Sequence, residues 1–370
     1  MPSDLADPPT PVAPACNETV AEEAVSLAES LLAESLRITT PAETAQMKRV
    51  GQLVQSPQAK SLSMLMTDRL FRSSTAERTA RGWRSILMQV GIGKGFGFWD
   101  RLQLRVGAAA SKYLPATVMT LVRKRLRNEA RDVILSAEEP HLTDHLASRH
   151  WDGVELNLNQ LGEAVLGEEE AAKRLEALLS LLNRPDVDYV SVKISAIFSQ
   201  INLVAPETTL QAIKERLRLL YRAALPEKKF VNLDMEEYRD LALTVAAFRE
   251  VLDEPEFKQL SAGLVLQAYL PDSITVQQEL TAWAQKRVAT GGERIKVRIV
   301  KGANLAMETV EAELHDWNPA PHRNKHDTDA GFRRMLEFAC QPENTKAVRI
   351  GVASHNLFDI ALALVLRSKN

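Results

Sequence analysis

Two basic residues interrupt the stretch RIKVRIVKGANL, residues 294–305, which otherwise reads as a buried β-strand. Arg298 lies in the middle of the apolar run, and Lys301 stands directly before Gly302. Because a buried guanidinium without a partner is very costly, the sequence predicts an anion or a polar ligand beside Arg298. The glycine would let the backbone approach a phosphate or a ring edge closely.

The elements that must position these groups are six short strand-like runs, separated by amphipathic helical stretches, after residue 150. Repeated βα units predict a parallel sheet. Each run is apolar mainly on one face, whereas an open doubly wound sheet is apolar on both. The sequence therefore predicts an α/β fold of the (β/α)8-type (TIM-like) barrel class, incomplete, with about six βα units. The runs are VELNLNQ (154–160), YVSVKIS (189–195), FVNLDME (230–236), GLVLQAY (263–269), IKVRIVKG (295–302) and VRIGVASHN (348–356).

Each run also carries a polar residue near its C-terminal end, where barrel enzymes build their active sites. These residues are Asn159, Lys193, Asp234, Gln267, Arg298 and His355. A purely structural polar core is the alternative, but six polar residues at one barrel mouth favour a ligand site. Since Lys193, Arg298 and Lys301 outnumber the carboxylate of Asp234, the expected ligand is an anion.

A long polar connection, residues 315–329, follows the Arg298 strand, and long ordered loops are usually functional. Its Arg323 and Lys325 are candidate contacts for a pyrophosphate group. Four histidines lie in this connection and in the last strand-like run, but their spacing matches no metal site on one element. No metal ion is therefore expected. The histidines are His315, His322, His326 and His355.

The chain before residue 150 has helical periodicity and no strand pattern. Residues 1–16 contain five prolines and are expected to be disordered, residues 17–150 to form an all-helical arm, and residues 151–370 to form the partial barrel. Alternating glycines at residues 91–97 lack the strand and the spacing of a phosphate loop, so a flexible connection is favoured. The aromatic residues beside them are expected to pack or to contact a partner; they are Phe96, Phe98 and Trp99.

Composition limits the class of protein. The 370 residues carry a formal net charge of −2, with a sequence pI of about 6.4, which argues against a general nucleic-acid binder. Two cysteines, one of them in the proline-rich tail, are typical of a reducing compartment. Neither a signal peptide nor an apolar run of transmembrane length is visible. A cytoplasmic protein is expected, with peripheral association at the inner membrane and a homo-oligomeric state left open.

Five ordered motifs resemble the strand motifs of the proline dehydrogenase family, in the form found in bifunctional bacterial proline utilization A enzymes. The motifs are VSVKISAI, LDMEEY, LVLQAYL, VRIVKGAN and VASHN, and the resemblance extends over about residues 20–370. It implies a barrel that binds FAD without a Rossmann fold and oxidises L-proline to Δ1-pyrroline-5-carboxylate. It also implies hydride transfer to flavin N5 and a membrane quinone as electron acceptor.

The same resemblance assigns roles to individual residues. Arg298 would lie against the isoalloxazine near N5, where a cation stabilises the reduced, anionic flavin. Lys193 and Asp234 match residues on the substrate side and, with Arg298, are the catalytic candidates. Glu163 matches an acid that pairs with a substrate-binding arginine. The cofactor-binding residues implied are Asp234, Gln267, Arg298, Val300, Lys301, Gly302, Ala303, Lys325, Ser354, His355 and Asn356.

Departures from the family pattern affect the expected function. Asn304 and Leu305 stand where the family has an aromatic pair, so an aromatic partner for the flavin is missing. The family's Tyr-x-x-Arg-Arg motif and C-terminal aldehyde dehydrogenase half are also missing, so the chain is expected to be part of a longer bifunctional enzyme and to bind proline weakly alone. One alternative is a catalytically incomplete remnant. Another is a Schiff-base lyase that uses Lys193 or Lys301 as its amine.

Overall fold

The computed structural model of the chain describes residues 18–71, 75–93, 95–130, 135–160 and 165–370. The predicted proline-rich tail and Glu163 lie outside the described residues.

The chain divides into two compact units. One unit contains Glu34–Thr143, and the other contains Asp144–Asn370 together with the segment that ends at Ala33. The boundaries predicted from the sequence, at residues 16 and 150, stay predictions of domain organisation.

In the part of the chain that the structure describes, seven helices precede the first strand. The second helix begins with the capping box that its sequence favours: Thr40 N donates to Glu43 Oε2 at 2.8 Å, and Glu43 N donates to Thr40 Oγ1 at 3.2 Å. Such reciprocal bonds satisfy backbone N–H groups that have no partner within the helix. The helices are α1 (Glu18–Ile38), α2 (Pro41–Gln55), α3 (Pro57–Phe71), α4 (Ala76–Val90), α5 (Phe98–Ala110), α6 (Pro115–Ala130) and α7 (His141–Trp151).

An apolar cluster holds the unit Glu34–Thr143 together. Trp83 of α4 and Met119 of α6 are each 1% exposed within it. Phe96, from the glycine-rich connection, packs against the cluster. The two aromatic residues that follow, Phe98 and Trp99, lie exposed at the start of α5.

Six parallel strands form one sheet, in which each strand pairs with the next one along the chain. Helical crossovers connect them, as the alternating pattern of the sequence predicts. The predicted fold class, an incomplete (β/α)8-type barrel after an N-terminal helical region, is confirmed. The strands are β1 (Asn157–Asn159), β2 (Tyr189–Val192), β3 (Phe230–Leu233), β4 (Gly263–Gln267), β5 (Ile295–Val300) and β6 (Val348–Ala353).

Helices cover the apolar face of the sheet. Val231, Leu264 and Val297, from three adjacent strands, are completely buried there. The connecting helices are α8 (Glu168–Leu182), α9 (Ile194–Ile197), α10 (Pro206–Ala224), α11 (Leu241–Leu252), α12 (Ser273–Ala289), α13 (Leu305–His315), α14 (Lys325–Ala339), α15 (Pro342–Thr345) and α16 (Leu357–Lys369), with 3-10 turns at Tyr238–Asp240 and Pro255–Phe257.

The strands are shorter than the predicted runs, and the difference matters for the site. β2 ends at Val192 and β3 at Leu233, so Lys193 and Asp234 lie one residue beyond their strands. Strand pairing stops where the chain turns away to begin the next helix, whereas the alternation of polar and apolar residues continues into that turn. Alternation alone therefore predicts strands that are too long.

Among the residues that the structure describes, no helix combines the length and the apolar character needed to cross a membrane. Within the same residues, His, Cys, Asp and Glu side chains form no group of three that could hold a metal ion.

Candidate active site

A cavity of about 720 Å³ lies at the C-terminal ends of the strands. Its volume is within the range of pockets that hold small molecules and cofactors. All of the residues predicted to bind the cofactor line it, and so does the substrate-side lysine. The structure thus brings the predicted site together, while the role of each residue stays a prediction. The predicted residues that line the cavity are Lys193, Asp234, Gln267, Arg298, Val300, Lys301, Gly302, Ala303, Lys325, Ser354, His355 and Asn356.

Arg298 forms a hydrogen-bonded ion pair with Asp234, between Nη2 and Oδ1. The same carboxylate oxygen accepts from Ser191 Oγ at 3.1 Å and from Asn232 Nδ2 at 2.9 Å. Its other oxygen accepts from Asn159 Nδ2 at 3.1 Å. Because four side chains donate to this carboxylate, its acceptor capacity is largely used, and it serves to hold Arg298 in place.

A second cation fills the barrel interior two residues before Arg298 on β5. The ammonium of Lys296 lies 4.8 Å from the centre of the Tyr189 ring and 5.6 Å from that of Phe230. Burial, followed by the nearby charge of Arg298, lowers the pKa of Lys296. Lys296 therefore packs against two aromatic rings on the same face of the sheet as Arg298.

Lys193 forms an ion pair with Glu236, with Nζ 2.8 Å from Oε2. Both side chains are partly exposed, at 26% and 34%. Pairs of this kind contribute little net stability, because water competes for both charges. Lys193 can therefore exchange Glu236 for an anionic group of a ligand at small energetic cost.

Gln267, at the end of β4, is 2% exposed. Its Nε2 donates to the backbone oxygens of Met235 and Glu236, at 3.4 and 3.3 Å. Its Oε1 is buried and accepts no hydrogen bond from the residues that the structure describes. A buried acceptor without a donor is unfavourable, so this oxygen is suited to an N–H group of a ligand.

Gly302 is required by its surroundings. Its φ of +126° is one that other residues rarely adopt, and a Cβ there would lie 2.5 Å from Cδ1 of Tyr269. Tyr269 is itself held by its backbone N–H, which donates to Lys301 O at 2.8 Å. The glycine therefore lets the strand end pass across the face of the tyrosine ring at the cavity wall.

Lys301 is held by carboxylates from two helices. Its Nζ lies 2.5 Å from Asp329 of α14 and 2.7 Å from Asp359 of α16, which is completely buried. Burial opposes the charge of Lys301, but the hydrogen bonds to Asp329 and Asp359 outweigh it and raise the pKa of the ammonium. Lys325 also binds Asp329, at 2.5 Å, but is 75% exposed. Lys301 is thus a fixed structural cation, whereas Lys325 is accessible.

The turn after β6 forms the last part of the cavity wall. Ser354 Oγ donates to Asp359 at 2.9 Å and accepts from the backbone N–H of Asn356 at 3.1 Å. Asn356 Oδ1 in turn accepts from Phe358 N at 2.9 Å and caps α16. His355, between them, is exposed at the cavity. Two of these three predicted residues therefore have a clear structural role in shaping the turn.

A family model described as proline dehydrogenase matches residues 142–370, which include all six strands and every residue of this cavity. The match covers more than half of the chain. The chain belongs to the proline dehydrogenase family.

Solved structures agree with this membership. Proline utilization A from Corynebacterium freiburgense is 46% identical over 74% of this proline dehydrogenase chain, with a TM-score of 0.64. Proline utilization A from Bdellovibrio bacteriovorus, inactivated by N-propargylglycine, is 26% identical over 95% of it, with a TM-score of 0.76. The chain covers only 28% and 36% of those two proteins. Among curated protein sequences, none matches it.

The predicted site residues left out five polar residues that hold the charged groups of this cavity. Alternation places Ser191 and Asn232 on the polar faces of β2 and β3, but it does not single them out as site residues. Glu236 is likewise part of the third polar run. Asp329 and Asp359 lie on helices, and only the three-dimensional packing brings them to Lys301.

Proposed function

We propose that this chain is the FAD-dependent module that oxidises L-proline to Δ1-pyrroline-5-carboxylate within a longer protein, with a quinone as electron acceptor. The observation that carries the proposal is a cavity at the barrel mouth in which the cation Arg298 is anchored by Asp234. Family membership supplies the reaction class. When bound, FAD would accept a hydride from the carbon next to the proline nitrogen and pass the electrons to the quinone.

The chemistry of the cavity wall fits a flavin. The buried, unpartnered Oε1 of Gln267 would accept from the N–H of the flavin's pyrimidine edge. Arg298 offers a preorganised positive charge for the anionic reduced ring, because Asp234 already fixes its position. Gly302 and Ala303 present backbone with little side chain, which allows close approach of a planar ring.

We assign the binding of a phosphate group to Lys325, which lines the cavity. Lys325 is exposed, and its ion pair with Asp329 is of the kind that exchanges readily. It would bind the pyrophosphate of FAD. Lys301 contributes positive charge nearby but stays bound to Asp359, whose charge has no access to water.

The substrate side of the cavity is assigned to Lys193. Its partner Glu236 can be displaced, so the ammonium would bind the carboxylate of proline. Glu163 lies outside the described residues. Since the chain covers only 28% and 36% of the two proline utilization A proteins, we place the remaining substrate contacts, and an aldehyde dehydrogenase domain, in a longer protein.

The contacts of Lys301 oppose the Schiff-base alternative at that residue. A lysine that attacks a carbonyl must lose its proton, and active amines have lowered pKa values. The hydrogen bonds to Asp329 and Asp359 raise the pKa of Lys301 instead. Lys193 remains open to test by borohydride trapping with a carbonyl compound, which should leave the protein unmodified.

The experiment that tests the proposed function is a turnover assay with added FAD, at L-proline concentrations high enough to fill a weak site. L-proline should reduce an artificial electron acceptor, and Δ1-pyrroline-5-carboxylate should accumulate in equal amount. D-proline and the Arg298→Met variant serve as controls and should give little product. Binding of FAD without turnover would instead identify the chain as a catalytically incomplete remnant.

A further inference from the structure

Glu236 lines the same cavity as Lys193, although it has no part in the site predicted from the sequence. Its Oε2 lies 2.8 Å from Lys193 Nζ, and both side chains are partly exposed. A ligand in the cavity can therefore reach both charges of the pair. The two side chains present a cation and an anion next to each other.

The loop that carries Glu236 is held in place on both sides of its side chain. The carbonyl oxygen of Glu236 accepts from Gln267 Nε2 at 3.3 Å. Two residues further on, Tyr238 N donates to Glu308 Oε1 of α13 at 2.7 Å. Because the backbone is fixed in this way, the Glu236 carboxylate stays at the cavity when Lys193 releases it.

Release of Lys193 leaves Glu236 in need of another positive charge. Arg298 and Lys301, two other cations of the cavity, are already bound to carboxylates of their own. A ligand that offers only a carboxylate would take Lys193 and leave Glu236 unpaired beside a second negative charge, which is unfavourable. A ligand that also carries a positive charge would supply the missing partner.

We infer that Glu236 is a further substrate-binding residue, which binds the ring nitrogen of L-proline while Lys193 binds the carboxylate. At neutral pH proline carries both charges, and a single carbon separates its nitrogen from its carboxyl carbon. The zwitterion can therefore meet both members of a pair whose charged atoms are 2.8 Å apart. Binding would exchange one ion pair for two, each of them a charge-assisted hydrogen bond.

The contact with Glu236 is compatible with the oxidation of the ring. The nitrogen must lose one proton before a hydride leaves the adjacent carbon, because its electron pair forms the new C=N bond. The neutral nitrogen keeps one N–H, so the Glu236 carboxylate can accept a hydrogen bond from both forms. Glu236 would thus select a cyclic amino acid over an acid of the same ring size that has no nitrogen.

The inference rests on the proposed function, since it assigns a second contact to the same substrate, but the two can fail separately. Ligand binding is measured with FAD that dithionite has reduced, so no proline can be oxidised. A protein that prefers proline through Glu236 but does not reduce an acceptor would contradict only the proposed function. A protein that oxidises proline without this preference would contradict only the inference.

The test compares the binding of L-proline with that of cyclopentanecarboxylate, a ring of the same size that has the carboxylate but no nitrogen. Ligand-observed NMR titration of the full chain, with reduced FAD present, gives both dissociation constants, and their ratio is the preference for proline. This preference should fall at least about tenfold in Glu236→Gln, because the amide removes the charge that binds the nitrogen. Glu236→Asp keeps the charge and should keep most of the preference.

The matched control is Glu237→Gln, which removes the next acid along the chain. Glu237 pairs with Arg239 at 2.5 Å and does not line the cavity, so the preference should be unchanged. Three results would overturn the inference. They are no preference for proline in the unchanged protein, an unchanged preference in Glu236→Gln, and an equal loss in Glu237→Gln or Glu236→Asp. Circular dichroism checks that each variant is folded.

Discussion

The ammonium of Lys301 lies 2.7 Å from the carboxylate of Asp359, a side chain with no exposed surface. This pair joins the end of β5 to the start of α16, and Asp329 of α14 completes it from the other side. A buried carboxylate depends on such a partner, because removal of one member leaves an uncompensated charge. The cavity wall therefore rests on an ion-pair cluster, and its members should differ sharply in their effect on stability.

Replacement of Lys301 by methionine should lower the free energy of unfolding by about 3 kcal/mol. Asp359 would lose its nearer cation and keep only Arg333, whose Nε lies 3.8 Å from Oδ1. Lys325→Met is the matched control, because Lys325 binds the same Asp329 but is 75% exposed. Its effect should be below about 1 kcal/mol. Urea unfolding of both variants measures the difference. Equal losses in the two variants would show that the buried ion pair of Lys301 contributes no more to stability than the exposed pair of Lys325.

The Gly302→Ala substitution should destabilise the protein and disturb the cavity. The new Cβ would meet the Tyr269 ring in addition to the strain of a positive φ. Gly291→Ala is the matched control, because Gly291 has a φ of +83° but no atom within 4 Å of the added Cβ. Thermal or urea unfolding should show a loss for Gly302→Ala that exceeds the control by about 1–3 kcal/mol.

That comparison has an internal check. Tyr269→Ala removes a buried ring and should itself destabilise the protein, but it also removes the clash. The double variant should therefore lose less stability than the sum of the two single losses. Additive losses would mean that the ring contact is unimportant and that only the backbone strain matters.

Asp234→Asn should weaken binding of FAD about tenfold or more, because the amide removes the charge that fixes Arg298. Asp272→Asn is the control: Asp272 accepts from the Tyr238 hydroxyl at 2.6 Å but does not line the cavity. Fluorescence titration with FAD measures both. Unchanged affinity in Asp234→Asn would contradict the role of Asp234 as the anchor of Arg298.

Asp240 should make stability depend on pH. It is 5% exposed, its Oδ1 has no partner among the described residues, and burial, then the charge of Glu237, raises its pKa to about 6. The folded state therefore binds a proton more tightly than the unfolded state, so stability should fall by about 2 kcal/mol as pH rises from about 4 to above 6.

The variant that tests this effect is Asp240→Asn, which cannot ionise. Its free energy of unfolding should change much less as pH rises. Relative to the unchanged protein, it should be more stable at pH 7.5 than at pH 5. Glu313→Gln, at an exposed position of α13, is the control and should keep the decrease. Urea unfolding of the unchanged protein and of both variants at pH 5 and 7.5 provides the six values. If the stability of Asp240→Asn depends on pH as strongly as that of the unchanged protein, groups other than Asp240 cause the pH dependence.

Much of the architecture follows from residues that alternate along each strand. Val231 and Leu233 alternate with Asn232, and this single apolar face predicts a barrel whose polar interior holds Asp234. Strand length could not be read in the same way, because Lys193 continues the alternation after pairing has ended at Val192.

The candidate site could be predicted only where its residues belong to the strand ends. Arg298 and Gln267 satisfy that condition, and the structure places both at one cavity. Asp359 does not: it lies in the first turn of α16, and nothing local distinguishes it from a solvated acid. The contact between Gly302 and Tyr269 is equally invisible in the sequence, since it depends on how two adjacent loops pack.

The central claim is that this cavity binds FAD and that L-proline reduces it there. The most direct measurement is anaerobic mixing of the FAD-loaded protein with L-proline while the visible absorption of the oxidised flavin is followed. The account predicts loss of that absorption with one equivalent of Δ1-pyrroline-5-carboxylate formed per flavin, and little loss in Arg298→Met. Persistent absorption of bound flavin in the presence of excess L-proline would contradict it.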